Sequence, residues 1–157
     1  MALDRLDHRI LEILQQDAGL TNAALAERIG TSPSSCLRRV QRLRDSGVLR
    51  KTVALVDPAA VGRGLTALVE VMLDHHGVPQ RQDFVRRVLL EPAVTQAWAV
   101  TGDPDVMLMM HLCDMQEYQA VCDRLFGHDP NVVKFRSLFV METYKAETAV
   151  PLGVAPE

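Results

Sequence analysis

Residues 20–49, LTNAALAERIGTSPSSCLRRVQRLRDSGVL, decide how the first third of this chain folds. Thr21 offers a hydroxyl to the free amides of a helix start, and Leu20 stands where it can staple against Leu25. Gly30 ends that helix, because only glycine takes a left-handed backbone cheaply. Ser32 and Pro33 restart it, a capping hydroxyl followed by a proline where no amide hydrogen is missed. In the helix that follows, Cys36, Leu37, Val40 and Leu43 are expected to face inward. Ser34, Ser35, Arg38, Arg39 and Arg42 fall on the other side, and Gly47 stops the helix. Two short helices around a three-residue corner, the second with arginines outward, form a helix-turn-helix that can enter the major groove of DNA.

Upstream, Leu3, Leu6, Ile10, Ile13 and Leu14 recur at three- and four-residue steps and predict an amphipathic helix over 4–17. Downstream, 48–56 is β-rich and is expected as a short strand or wing. Asp57-Pro58, Gly62 and Gly64 then mark a hinge. Beyond it, strands are expected at 65–73, 94–101, 106–113 and 132–141. Helices at 79–90 (Phe84, Val85, Val88, Leu89) and 115–126 (Tyr118, Val121, Cys122, Leu125, Phe126) interleave with them. The order βαββαβ is that of a split-βαβ, ferredoxin-like sheet. The chain therefore reads as α+β: a winged-helix-like helix-turn-helix domain over 1–56, a hinge over 57–64, a ferredoxin-like domain over 65–145, and a loose tail over 146–157.

A sheet with its own two helices on one face should alternate polar residues on the other. Here Leu68 and Met72 oppose Val69 and Val71, Met107 and Met109 oppose Leu108 and Met110, and Leu138 and Val140 oppose Phe139 and Met141. Both faces are apolar, as in strands covered on both sides. A second subunit is expected over the open face, making the chain at least a homodimer.

The net charge of −3 hides an asymmetry. Residues 1–56 carry nine Lys/Arg against six Asp/Glu (+3), and residues 57–157 carry eight against fourteen (−6). Within 32–51, Arg38, Arg39, Arg42, Arg44, Arg50 and Lys51 are opposed by Asp45 alone. A basic patch on an acidic chain is the footprint of a polyanion such as double-stranded DNA, the alternative being a solvated helix face. Ser34, Ser35, Arg38, Arg39 and Arg42 suit the groove, where a guanidinium bonds guanine O6 and N7 bidentately. Arg44, Arg50 and Lys51 suit phosphates, which position without reading sequence.

No run approaches the roughly 20 apolar residues of a membrane span. The charged start MALDRLDHRI lacks a signal peptide's apolar segment, so a cytoplasmic location is expected. Cys36, Cys113 and Cys122, odd in number, read as reduced thiols, with Cys36 buried and inert. His75, His76, His111 and His128 with Cys113 and Cys122 fit no standard ligand set, so neither a metal nor a cofactor is expected. Gly102-Asp103-Pro104-Asp105 joins two predicted strands. Such a turn exposes backbone amides to a carboxylate and an aspartate to an ammonium, the two charges of an α-amino acid. The plainer reading is a hairpin turn.

The helix-turn-helix with LDRLDHRILEILQQDA before it and SPSSCLRRVQRL inside it resembles the leucine-responsive, or Lrp/AsnC (feast/famine), regulators. The segments VTGDPDVMLMMHL, DMQEY and FVMETYK are similar to that family's effector-binding and assembly domain. The resemblance runs from about residue 3 to residue 145. It implies a bacterial or archaeal one-component transcription regulator, not an enzyme, that dimerises through the βαββαβ domain, often assembles into tetramers or octamers, and responds to an amino-acid effector. It implies further that Asp105 carries the effector response, with Gly102 and Asp103 shaping the turn. Met115, Leu138 and Val140 match other response positions, and Trp98 is a candidate pocket wall. Family members often carry an acidic residue where this chain has Arg38, which implies an altered site preference. Two other readings compete: a ferredoxin-like dimeric enzyme with Trp98 or His111 in its cavity, and an architectural DNA-binding protein without a ligand.

Overall fold

The first helix, α1 (Arg5–Gln16), starts at a reciprocal cap. Asp4 Oδ1 accepts from the Asp7 backbone N–H at 2.9 Å, and Asp7 Oδ2 accepts from that of Asp4 at 3.2 Å. Two amides that a helix start would leave orphaned are thus satisfied. In α2 (Asn22–Ile29) Thr21 Oγ1 accepts from the Ala24 N–H at 3.2 Å, and Gly30 closes the helix at φ +72°. α3 (Pro33–Asp45) begins with Ser32 Oγ accepting from the Ser35 N–H at 3.3 Å. The computed structural model describes residues 2–74 and 78–153.

Ile10 and Leu11 of α1, Leu25, Ala26 and Ile29 of α2, and Cys36, Val40 and Leu43 of α3 form one buried cluster. Leu37, expected in that stripe, is 57% exposed. One residue beyond Cys36 is a turn of about 100° around the helix, which carries it off the 36/40/43 line. The stretch 48–56 forms no ladder; Val48, Val53, Leu55 and Val56 are exposed, although Leu49 packs on the helical core. β propensity alone makes no strand where no second strand stands ready to pair. Of the tail expected to be loose over 146–157, the described residues 146–153 belong to the same compact unit as the chain up to Ala54, and Lys145, expected in the ferredoxin-like domain, joins them. Gln15 Nε2 donates to the Val150 carbonyl at 3.1 Å, the Val150 N–H donates to Gln15 Oε1 at 2.7 Å, and Leu152 packs against the helical cluster.

The second unit, Leu55–Tyr144, takes in the hinge. Asp57 Oδ1 accepts from the Ala59 N–H at 2.9 Å above a single 3-10 turn (Ala59–Val61). Arg63 then donates to Glu117 and to the His111 carbonyl, each at 3.0 Å, fastening the hinge to this unit. The elements follow as β1 (Leu65–Leu73), α4 (Val78–Leu90), β2 (Val94–Ala99), β3 (Val106–Leu112), α5 (Met115–Leu125) and β4 (Val132–Phe139). The sheet order is β2-β3-β1-β4 with every neighbouring pair antiparallel, the expected ferredoxin-like topology.

Ala67, Val69, Val71 and Leu73 of β1 and Val106, Leu108, Met110 and Leu112 of β3 point to the helices. They meet Phe84 and Val88 of α4 and Val121, Cys122 and Leu125 of α5. Val85 and Leu89 were expected there too, yet Leu89 is 75% exposed. Val85 and Leu89 each follow a buried residue by one position, about 100° around the helix, which carries them off the Phe84/Val88 side. On the open face, Leu68, Met107 and Met109 are half-buried, and Met72, Trp98 and Leu138 are exposed. The Glu70–Arg136 pair crosses this face, Arg136 Nε donating at 2.6 Å. β2, β3 and β4 end before Val100, Cys113 and Val140, earlier than alternation suggests; Val140 still donates to the Thr66 carbonyl at 2.9 Å, whereas Met141 is exposed.

Candidate nucleic-acid interface and effector pocket

The outer side of α3 presents Ser34, Leu37, Arg38, Gln41 and Arg42, all exposed. Arg44, Arg50 and Lys51 are exposed as well, while Ser35 is half-buried. Arg39 does not join the outer surface. Its Nη1 donates to Asp4 Oδ2 at 2.6 Å and to Asp7 Oδ1 at 2.9 Å, while Arg42 Nη2 donates to Asp7 Oδ2 at 2.5 Å. The Asp7 side chain is 0% exposed. A carboxylate so fully removed from water must be paired, and two guanidinia do it here. The Arg39 hydrogen bond holds the Asp4 carboxyl below its ordinary range, and the Asp4 and Asp7 carboxylates raise the Arg39 guanidinium. The five residues expected to face the groove are thus divided, with Arg39 turned inward and Arg42 shared. The aspartates at three-residue spacing on α1 were legible in the sequence; that they meet α3 was not.

At the end of the sheet beside the turn at 101–104 lies a cavity of about 330 Å³, lined among others by Glu70, Met72, Gly102, Asp103, Lys134 and Arg136. Glu70 and Met72 share one face of β1, and Lys134 and Arg136 stand opposite Met72 and Glu70 on β4. Gly102 takes φ +114°, a conformation that favours glycine, and leaves open space where a Cβ would sit. Arg136 is committed to Glu70, which raises the guanidinium while the Glu70 carboxyl is held below its ordinary value. Lys134 and Asp103 have no ion-pair partner among the described residues.

Asp105 lies outside this lining. The Leu73 N–H donates to its Oδ2 at 2.7 Å, its own N–H donates to the Val71 carbonyl at 2.9 Å, and its carbonyl accepts from Val100 at 3.1 Å. It stitches the turn onto β1. Trp98 lines a different groove of about 230 Å³, with Phe84, Val85 and Leu89. Leu138 pairs with Leu68 in mid-face, and Val140 bonds Thr66. Met115 follows the far end of β3, about 20 Å along the strand from the turn at a rise of roughly 3.3 Å per residue. Of the effector residues expected from sequence, Gly102 and Asp103 reach the cavity in one chain. Glu70, Met72, Lys134 and Arg136 were not anticipated, although period-two alternation with charges in apolar strands carried the signal.

The Cys36 thiol is buried and pushed up by burial, as an inert sulfur is; Cys113 is exposed but raised by the Glu117 carboxylate beside it. His111 Nδ1 lies 3.1 Å from Thr66 Oγ1. No group of three His, Cys, Asp or Glu among the described residues is arranged to hold a metal ion, and His75 and His76 lie outside those residues. No described helix is long and apolar enough to cross a membrane.

Residues 66–150 match the Lrp/AsnC ligand binding domain, and residues 3–50 match a winged helix-turn-helix DNA-binding domain. The chain is 39% identical to an uncharacterized HTH-type transcriptional regulator of Haemophilus influenzae, over 96% of this chain and 89% of that protein. It is 36% identical to the DNA-binding transcriptional activator DecR of Escherichia coli, over 96% and 99%. A transcriptional regulator from Neisseria meningitidis, solved with L-methionine, superposes with a TM-score of 0.90 at 35% identity, covering 96% of this chain and 97% of its own.

Proposed function

Since the chain belongs to the Lrp/AsnC family and is a DNA-binding transcriptional regulator rather than an enzyme, we propose that the cavity beside Gly102 is where its amino-acid effector binds. The observation that carries this reading is that the lining of one cavity holds two opposite charges, Lys134 and Asp103, with no ion-pair partner among the described residues. Lys134 suits an α-carboxylate and Asp103 an α-ammonium, with Met72 beside them for an apolar side chain. The solved Neisseria relative holds L-methionine, which makes apolar amino acids the first class to test.

On this reading the regulator works as a homodimer through the open sheet face, with Leu68, Met109 and Leu138 at its centre, and builds tetramers or octamers from dimers. The cavity lies at the border of that face, so a ligand there favours one arrangement of subunits. Its coupling free energy changes the spacing of paired α3 helices and hence operator affinity. Ser34 and Arg38 read the groove, and Arg44, Arg50 and Lys51 hold phosphates. A chromosomal DNA partner supports a cytoplasmic location. A melting-temperature panel over the twenty amino acids, with oligomer mass measured in parallel, tests the scheme. A true effector at a hundred times its dissociation constant stabilises by about 2.7 kcal/mol. A flat panel would leave an architectural DNA-binding protein in its place.

A further inference from the structure

We infer that Asp4 and Asp7 act through Arg39 and Arg42 to withhold positive charge from DNA, so that sequence-independent binding stays weak. The cluster holds two carboxylates and two guanidinia and is formally neutral. Its two guanidinia stand on the same helix as the groove-facing Ser34 and Arg38, and its carboxylates stand at the start of α1. Four arginines sit on α3, yet Arg39 is spent on two carboxylates, and Arg42 keeps one nitrogen on a fully buried one. Arg38 and Arg44 are the α3 arginines with no carboxylate partner among the described residues, at separate points on the helix.

Non-specific affinity comes almost wholly from cations that displace counterions from phosphates. That phosphate term is shared by specific and non-specific complexes, so a negative charge beside the arginines weakens both, and the non-specific complex, which has little else to hold it, is the one lost first as salt rises. A merely structural network would tie α1 to α3 and leave the salt dependence of DNA binding untouched. More than that is at work, because Arg42, which Asp7 holds, lies on the exposed side of α3 with its side chain 48% exposed, and Asp4 is itself half exposed rather than buried within the core.

The inference rests on the DNA-binding reading above, and the two fail separately. Asp4→Asn is the informative variant, since asparagine caps a helix start as well as aspartate does and the fold is retained. Binding of the full-length protein to a short random-sequence duplex is measured by fluorescence anisotropy across salt concentrations. The expected result is a slope of log affinity against log salt that steepens by up to about 0.9 per bound α3. That corresponds to roughly three- to four-fold tighter binding for a four-fold drop in salt. Asp7→Asn should steepen it as well, with a lower melting temperature because its two guanidinia lose their buried partner. A wild-type protein that binds no duplex at low salt overturns the DNA reading itself. A wild type that binds with the usual salt dependence, and an Asp4→Asn protein with the same slope and affinity, overturns this inference alone.

Discussion

Replacing Lys134 by alanine removes the cation on the wall of the cavity beside Gly102 that has no ion-pair partner among the described residues. Arg136 is a weaker substitute, because its Nε donates to Glu70 Oε2 at 2.6 Å and that carboxylate offsets its charge. A hydrogen bond between charged groups is worth about 1.5–3 kcal/mol. Lys134 is exposed, and solvent screening reduces that to roughly 1–2 kcal/mol, or about a 5- to 30-fold loss in affinity. Calorimetric titration of the amino acid with the largest melting shift supplies the number, and a methyl ester of the same amino acid supplies the control. Wild type should bind the ester more weakly than the acid, and Lys134→Ala should bind both alike. Asp103→Asn should keep the preference for the acid but stop distinguishing the free amine from its N-acetyl form. If Lys134→Ala binds the acid with wild-type affinity and still rejects the ester, the carboxylate lies elsewhere and the assignment of the cavity is wrong.

Two further outcomes follow from the geometry. A chain ending at Thr148 loses both Gln15–Val150 hydrogen bonds and the packing of Leu152, so denaturant unfolding of the helical unit should show a loss of about 2 kcal/mol; unchanged stability would mean the strap contributes nothing. The carboxyls of Asp4, Glu70 and Glu117 are held below their ordinary 3.8 and 4.5, by Arg39, by Arg136, and by the Cys113 amide together with Arg63. The unfolded chain then binds more protons than the folded one, so this stabilisation is present above about pH 4.5 and is lost as pH falls through the lowered folded values. Melting temperatures from about pH 7 to about pH 3 should decline below that point, less steeply in Glu70→Gln, and a protein gaining stability on acidification would contradict the pairing.

The local chemistry of this chain was legible residue by residue. The Thr21 and Ser32 caps and Gly30 act over three or four positions, and the strands announce themselves by period two, so a linear reading finds them. Matching βαββαβ order then leaves little choice of sheet topology. What decided the sites acts at longer range. Asp7 meets Arg39 and Arg42 across 32 and 35 residues, and Glu70 meets Arg136 across 66. Asp105 reads as an exposed turn carboxylate until the Leu73 amide, 32 residues back, is found on it. Sequence fixes which side of a helix or strand a charge occupies. Only packing and strand register fix what faces it, and in this protein the facing groups separate the arginines free to meet DNA from those holding α1 to α3.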